Sequence, residues 1–278
     1  MTFDPVRLHD LRCRILWQHS DAEALGVVAE RYPAILPPDE WATVREHVEF
    51  VHHGPERYRE FAQRKDAQTE LSDVQVEENW EALTAAPRWA MVTGYLRKWV
   101  RGQDPLRMLD LGTWTGAHAV AMSNQFPMAT VFAREIVAGC RSAIERTIRA
   151  HAVQPERVVY EQGDHWAPPL PGDLVAAYSG EVMEHVPNVA EFVGAIERAC
   201  RDGAWVTFTT PTQEPDDHPT RVHVRNLESA DLRELFGRKK NSRCYRTLSG
   251  HHVFGWTVDG APTGAVDWDR KLASWGIP

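Results

Sequence analysis

The hydrophobic pattern changes period near residue 105. Before it, apolar residues recur at helical spacing. Val6, Leu8, Leu11, Ile15 and Leu16 lie within 5–18, and Leu25, Val27 and Val28 within 22–32. Pro33, Pro37 and Pro38 interrupt, and Pro38 to Trp41 has the form of a helix start with early acids. Trp41, Val44, His47, Val48 and Val51 then share one face, whereas the strongly charged 56–78 predicts a solvated helix or loop. Pro87 is placed to open a further helix, in which Trp89, Met91, Tyr95, Leu96 and Trp99 could face a sheet. No strand signal occurs in this region.

After it, short apolar runs alternate with amphipathic stretches. Strands are predicted over 106–111, 129–133, 157–161, 173–178 and 204–210, the last entered through an Asp202–Gly203 turn. Helices are predicted from Ala117, over 137–152 and over 188–200. A helix over 227–236 capped by Asn226 and a hairpin of 242–247 with 251–258 around Ser249–Gly250 close the chain. This order predicts an α/β fold: a doubly wound, mostly parallel, seven-stranded Rossmann-like sheet over 105–278, preceded by an N-terminal helical cap or lid over 1–104.

The first strand carries the sharpest local signal. Leu106 to Leu111 breaks at Gly112-Thr113-Trp114-Thr115-Gly116, and a helix follows. Glycine in such a turn permits φ > 0 and lets a ligand approach the backbone, and amides at the helix start are candidate donors. Asp110 puts an acid at the strand end. Glu135, 19 residues after Gly116, ends the second strand, where an acid can accept hydrogen bonds from both hydroxyls of a ribose. A salt bridge to Arg134 or Arg141 is the alternative. Asp164, after Gly163 in the loop behind the third strand, could accept from the exocyclic amine of an adenine, with His165 and Trp166 offering flat faces beside it.

Composition narrows the setting. With 278 residues, 43% of them apolar, the chain can bury a sizeable core. Its 31 basic and 39 acidic residues give a net charge of −8, which argues against a nucleic-acid partner. No run is long and apolar enough to span a bilayer, and a membrane partner is not expected. Cys13, Cys140, Cys200 and Cys244 lie far apart without metal or redox spacing, which predicts reduced thiols in a cytoplasmic protein.

Taken together, Leu-Asp110-Leu-Gly112-Thr-Trp-Thr-Gly116, Phe-Ala-Arg-Glu135, Gly163-Asp164, Gly-Glu181-Val-Met-Glu184-His185-Val-Pro and Phe-Thr-Thr-Pro211 resemble the stations of class I S-adenosylmethionine-dependent methyltransferases. The resemblance is greatest to the small-molecule O-methyltransferase branch typified by ubiquinone-biosynthesis enzymes. It implies that Gly112, Thr113 and Gly116 pass beneath the cofactor and that Asp110 lies near its methionyl amine. It further implies that Glu135 holds the ribose, that Gly163, Asp164 and His165 serve the adenine, and that Ser179 faces the sulfonium. The family turn usually has a glycine where Trp114 stands, so that ring either swings outward or crowds the methionine tail. A dinucleotide is disfavoured, because only the outer glycine pair is present and Asp110 would face the phosphates.

For the chemistry, Glu181 and His185 are the candidate catalytic groups, with His185 a candidate general base. Glu181, Glu184, His185 and His223 (or His218) could hold a divalent cation, magnesium or zinc; the alternative is that Glu184 and His185 cap a helix and fix its loop. The expected reaction is methyl transfer to an oxygen, less readily a nitrogen, of a small-molecule or sugar-like acceptor. A nucleic-acid methyltransferase and a non-catalytic cofactor-binding protein are the competing readings. The acceptor pocket is expected from 1–105 and 212–250, and the N-terminal helices could also pair two copies as a homodimer.

Overall fold

A computed structural model describes residues 71–100, 105–163, 170–186, 189–211, 227–261, 263–264 and 270. The helices expected over 1–70, together with Asp164, His165, Trp166, His218, His223 and Asn226, lie outside the described residues.

Two helices, α1 (Asp73–Thr84) and α2 (Pro87–Trp99), precede the sheet. Ser72 caps α1 through a reciprocal exchange with Gln75, and Pro87 occupies the first turn of α2, where its missing N–H costs nothing. There follow β1 (Arg107–Leu111), α3 (Ala117–Gln125), β2 (Thr130–Glu135), α4 (Cys140–His151) and β3 (Val158–Gln162). Next come β4 (Leu174–Gly180), α5 (Val189–Ala199), β5 (Cys200–Pro211), α6 (Ser229–Phe236), β6 (Arg243–Arg246) and β7 (His251–Thr257).

The seven strands form one sheet in the order β3-β2-β1-β4-β5-β7-β6. The first five are parallel, and β7 runs antiparallel between β5 and β6. The direction of chain progression reverses between β1 and β4, which opens a crevice beyond their carboxyl ends. Because β7 is inverted, its first residue, His251, pairs with Pro211 and stands at that same rim.

Strand alternation sorts the core into two layers. Met108, Val131, Ala133, Ala176, Tyr178 and Trp205 share a layer with Trp89, Val92 and Leu96 of α2 and Ala119 and Val120 of α3. Leu109, Leu111, Ala177, Val206, Phe208 and Phe254 share the other with Phe192, Val193 and Ile196 of α5 and Leu232, Leu235 and Phe236 of α6. The helical periodicity of α2 is therefore read out directly against the sheet. Trp99 stacks on Trp205 at 5.1 Å with the rings 1° from parallel, and Tyr95 lies 5.2 Å from the same ring. The aromatic content that stands out in the composition is thus largely core packing.

Two expectations shift. The fifth strand begins earlier, because Cys200 already pairs with Leu174, and Asp202–Gly203 is absorbed where the register slips between Leu174 and Ala176, with Gly203 at φ 81°. The cap of α6 falls at Glu228, whose N–H donates to the Asp231 carboxylate at 2.9 Å, while Leu227 is buried beside Leu232 as a staple.

Because Leu96 is fully buried between α2 and the sheet, Leu96→Ala should lower the unfolding free energy by about 2–5 kcal/mol, read in a denaturant titration. A loss within about 0.5 kcal/mol would mean that α2 does not belong to the cooperative core.

Candidate active site at the carboxyl rim

The turn after β1 is fastened to β2 by hydrogen bonds. Gly112 and Thr113 N–H both donate to the Arg134 carbonyl, at 2.9 and 3.2 Å. Trp114 N–H donates to Glu135 Oε2 at 2.8 Å, while Ile136 and Val137 N–H donate to Oε1 at 2.9 and 3.0 Å. Gly116 N–H closes back on Thr113. The turn's amides, expected to be donors for a ligand, are thus mostly spent inside the protein, and little of a phosphate-binding nest remains. Arg134 pairs with Glu161 and Arg141 with Glu145. Gly112 and Gly116 sit at φ 76° and 80°, and a Cβ on Gly116 would stand 3.1 Å from Ile144 Cγ2, so this glycine also lets α3 pack on α4.

Asp110 is buried at the tip of β1. Its Oδ2 accepts from Thr113 Oγ1 at 2.5 Å, and the Ala119 N–H also bonds it. Burial, reinforced by the charge of Glu135, outweighs these bonds and pushes its carboxyl up to about 7. Trp114 adopts φ 54°, a left-handed conformation unusual for a bulky side chain. Its ring swings outward onto Val137, Cys140 and Ile144, beside Ile136 and Tyr160. The Tyr160 hydroxyl and Thr115 Oγ1 are buried there without hydrogen-bond partners.

The other sequence-predicted residues divide. Ser179 is buried and donates to the Leu111 carbonyl at 2.8 Å, tying β4 to β1. Gly163 follows β3, where its N–H donates to the Glu135 carbonyl and a Cβ would meet the Arg134 guanidinium. Glu181 leaves β4 at φ 57°, its N–H on the Thr209 carbonyl. Glu184 is fully buried; Oε2 accepts from Thr210 Oγ1 at 3.2 Å and Oε1 has no partner. Burial and then the neighbouring Glu181 charge hold the Glu184 carboxyl well above the ordinary range. His185 N–H closes a turn on the Val182 carbonyl. Among the described residues, no group of three or more His, Cys, Asp or Glu is arranged to hold a metal ion, and His223 lies outside them.

Folding adds residues that the sequence did not single out. Tyr178 is buried within the electrostatic reach of Asp110 and Glu181, its hydroxyl 3.4 Å from Thr209 Oγ1. Gly180 makes this reach feasible, since a Cβ there would collide with that hydroxyl. His118, in the first turn of α3, stacks on Trp89 at 4.4 Å and meets Tyr178 edge-on at 5.0 Å. Burial, with the nearby charge of Arg88, drives its imidazole down to about 3, so it stays neutral. His251 brings Nε2 to 3.7 Å from Glu181 Oε2 and 3.4 Å from Arg88 Nη1. Polar residues inside apolar runs (Tyr178, His118) were the available signal; for Arg88 and His251 there was none.

A parallel sheet with its crevice at the β1/β4 reversal, lined by strand-tip acids, defines a class I methyltransferase-type fold. A family model described as a methyltransferase domain matches residues 43–253, and the chain belongs to that family of S-adenosylmethionine-dependent enzymes. Its fold is similar to a SAM-dependent methyltransferase from Aquifex aeolicus, with 11% identity over 68% of this chain and 100% of that one and a TM-score of 0.53. It is also similar to phosphoethanolamine N-methyltransferase 2 of Haemonchus contortus in complex with S-adenosyl-L-methionine. There the identity is 16%, the TM-score 0.50, and the match covers 68% of this chain and 46% of the other. A comparison with curated proteins finds no match. Among the described residues no helix is long and apolar enough to cross a membrane.

Asp110 generates a pH signature. Its folded-state pKa, about 7, lies above its ordinary value of 3.8, so between those values the native state holds a proton that the unfolded chain has released. Its contribution to stability is therefore fully present below about pH 4 and is lost as pH rises to about 7. Asp110→Asn should flatten the wild-type decline over that window and be the more stable protein at pH 8. Parallel wild-type and variant curves in denaturant titrations at pH 5, 6.5 and 8 would contradict the assignment.

Proposed function

We propose that this methyltransferase-family chain transfers a methyl group to an oxygen of a small-molecule acceptor, in the manner of the ubiquinone-biosynthesis-like O-methyltransferase branch. The observation that carries the reading is the pairing of two unlike clusters on one rim. Asp110, Glu135 and Tyr160 gather at the β1–β3 tips, and Glu181, Glu184 and His251 gather around the β4–β5 tips.

The first cluster suits S-adenosylmethionine. The Tyr160 hydroxyl and Thr115 Oγ1 are orphaned beside the Glu135 turn, ready for polar groups of a ribose or adenine. Asp110, poised near neutrality, gains its full charge when a cationic amine arrives. We assign Asp110, Gly112, Thr113, Gly116, Glu135, Gly163 and Ser179 to the cofactor side of the crevice, with Asp164 and His165 as further candidates beyond the described residues. Bound there, the cofactor supplies an electrophilic methyl on its sulfonium.

The second cluster handles the acceptor. Displacement at methyl is in-line, so alignment provides much of the acceleration. The acceptor hydroxyl must also lose its proton. Glu184, fully buried and bonded to Thr210, is poorly placed to meet an acceptor; Glu181, more exposed and beside His251, is the better-placed base, with His185 further along the chain. A base at this place can take the proton that an acceptor hydroxyl loses as its oxygen gains the methyl. Glu181, Glu184 and His185, with His223, remain the proposed ligands should a magnesium or zinc ion bind, and no step is derived through one. The free thiols Cys200 and Cys244 support a reducing, cytoplasmic setting.

Calorimetry with S-adenosylmethionine and S-adenosylhomocysteine tests the reading. Both should bind the wild-type chain, and Glu135→Ala, which leaves three amides unpaired, should weaken both at least tenfold. Absence of binding to either by the folded wild type would sink the proposal.

A further inference from the structure

One cation at the rim has no anion among the described residues. Arg88 lies in the first turn of α2 with its Nε buried and unpartnered, and its Nη1 meets only an imidazole nitrogen, His251 Nε2, at 3.4 Å. Among the described residues no carboxylate stands within ion-pair distance of it; the nearby Glu181 approaches His251 instead. A guanidinium offers five N–H donors and accepts none, so His251 must turn a lone pair toward it, with the ring proton on Nδ1. The next ring is also orphaned. His118, 9% exposed, bonds the Leu83 carbonyl through one nitrogen and leaves Nε2 buried without a partner. It is fixed by its stack on Trp89 and its edge contact with Tyr178.

A half-buried positive charge set among neutral rings is costly unless something negative joins it. Nothing in the packing requires the guanidinium: its neighbours Trp89, His118 and Tyr178 already contact one another. We propose that Arg88, flanked by His118 and His251, is the docking point for an oxyanion, a carboxylate or a phosphate, on a small molecule bound over the tips of β4 and β5. The inference rests on the reading that cofactor and acceptor meet at this rim, and it adds the charge of the group that is recognised. Two sources share the chemistry: an acidic group on the acceptor, and the carboxylate of the cofactor's methionyl arm. In either case the anion accepts from the guanidinium, and a hydroxyl or ammonium on the same ligand can donate to His118 Nε2.

The test uses the full chain as wild type, Arg88→Gln and Arg88→Lys, titrated calorimetrically with four probes. S-adenosylhomocysteine carries the methionyl-arm carboxylate, 5′-methylthioadenosine lacks it, and benzoate and inorganic phosphate stand for an acidic acceptor. An oxyanion ligand should bind Arg88→Gln at least tenfold more weakly and recover in part in Arg88→Lys. A loss confined to S-adenosylhomocysteine, with methylthioadenosine unchanged, assigns the cofactor's carboxylate. A loss confined to benzoate or phosphate assigns the acceptor. Thermal melts separate this from a structural role: removal of an uncompensated cation should leave the melting temperature of Arg88→Gln unchanged or raised. Equal affinities of wild type and Arg88→Gln for every probe, failure of the wild type to bind any of them, or a melting temperature lowered by several degrees overturns the proposal. A wild type that binds benzoate or phosphate through Arg88 but not S-adenosylhomocysteine keeps the anion site while removing the methyltransferase reading.

Discussion

The Glu135 carboxylate holds the site together. It accepts from Trp114 of the neighbouring β1 turn and from Ile136 and Val137 on its own strand's exit, so one side chain fixes the β1 turn against the β2 tip. Hydrogen bonds to a charged acceptor are each worth about 1.5–3 kcal/mol, enough to keep a nearly buried acid in place. The same charge is felt by Asp110 and Tyr160, both of which are pushed to higher pKa values by burial first and Glu135 second, or by Glu135 after its opposing hydrogen bond. Cofactor-side geometry and cofactor-side electrostatics therefore have one origin.

Across the crevice the logic is repeated with different chemistry. Burial and the Glu181 charge push the Glu184 carboxyl well above its ordinary range, and Glu181 is the accessible carboxylate of the pair. Tyr178 separates the two sides: it is fully buried, reaches Thr209, and feels Asp110, Glu181 and Arg88 at once. A phenol that burial keeps protonated is an insulating wall between two acid clusters.

Much of this was legible from local pattern. The strands, the glycine turn and the acids at strand ends follow from short continuous apolar runs and from abrupt changes of residue type, and these survive without tertiary information. The helical face of α2 was legible for the same reason, though its pairing with Trp205 was not. Pattern failed where a choice depends on a distant partner. Asp202–Gly203 reads as a turn, yet Cys200 finds Leu174 and the strand starts before it. Asn226 is a better cap by propensity than Glu228, yet the buried Leu227 sets the register of α6. Arg88 and His251 stand 163 residues apart and meet only because β7 is inserted antiparallel beside β5.

The backbone itself marks the rim as the place of constraint. Among the described residues, four other than glycine adopt positive φ: Trp114, Asp173, Glu181 and Asn241. Asp and Asn tolerate that region because their short side chains bond locally, so Asp173 and Asn241 call for no special account. Trp114 and Glu181 have no such excuse, and each stores on the order of 1–2 kcal/mol. They follow β1 and β4, the two strands that flank the crevice, and each is held by a bond to the neighbouring strand on the side away from it: Trp114 N–H to Glu135, Glu181 N–H to Thr209. Those bonds offset the strain, and they also decide where the side chains go. The indole is turned away onto Ile144 and Val137, which leaves room above the turn, and the glutamate is turned toward His251. Strain at these two positions is thus the local consequence of keeping the crevice open at one strand tip and placing a carboxylate in it at the other.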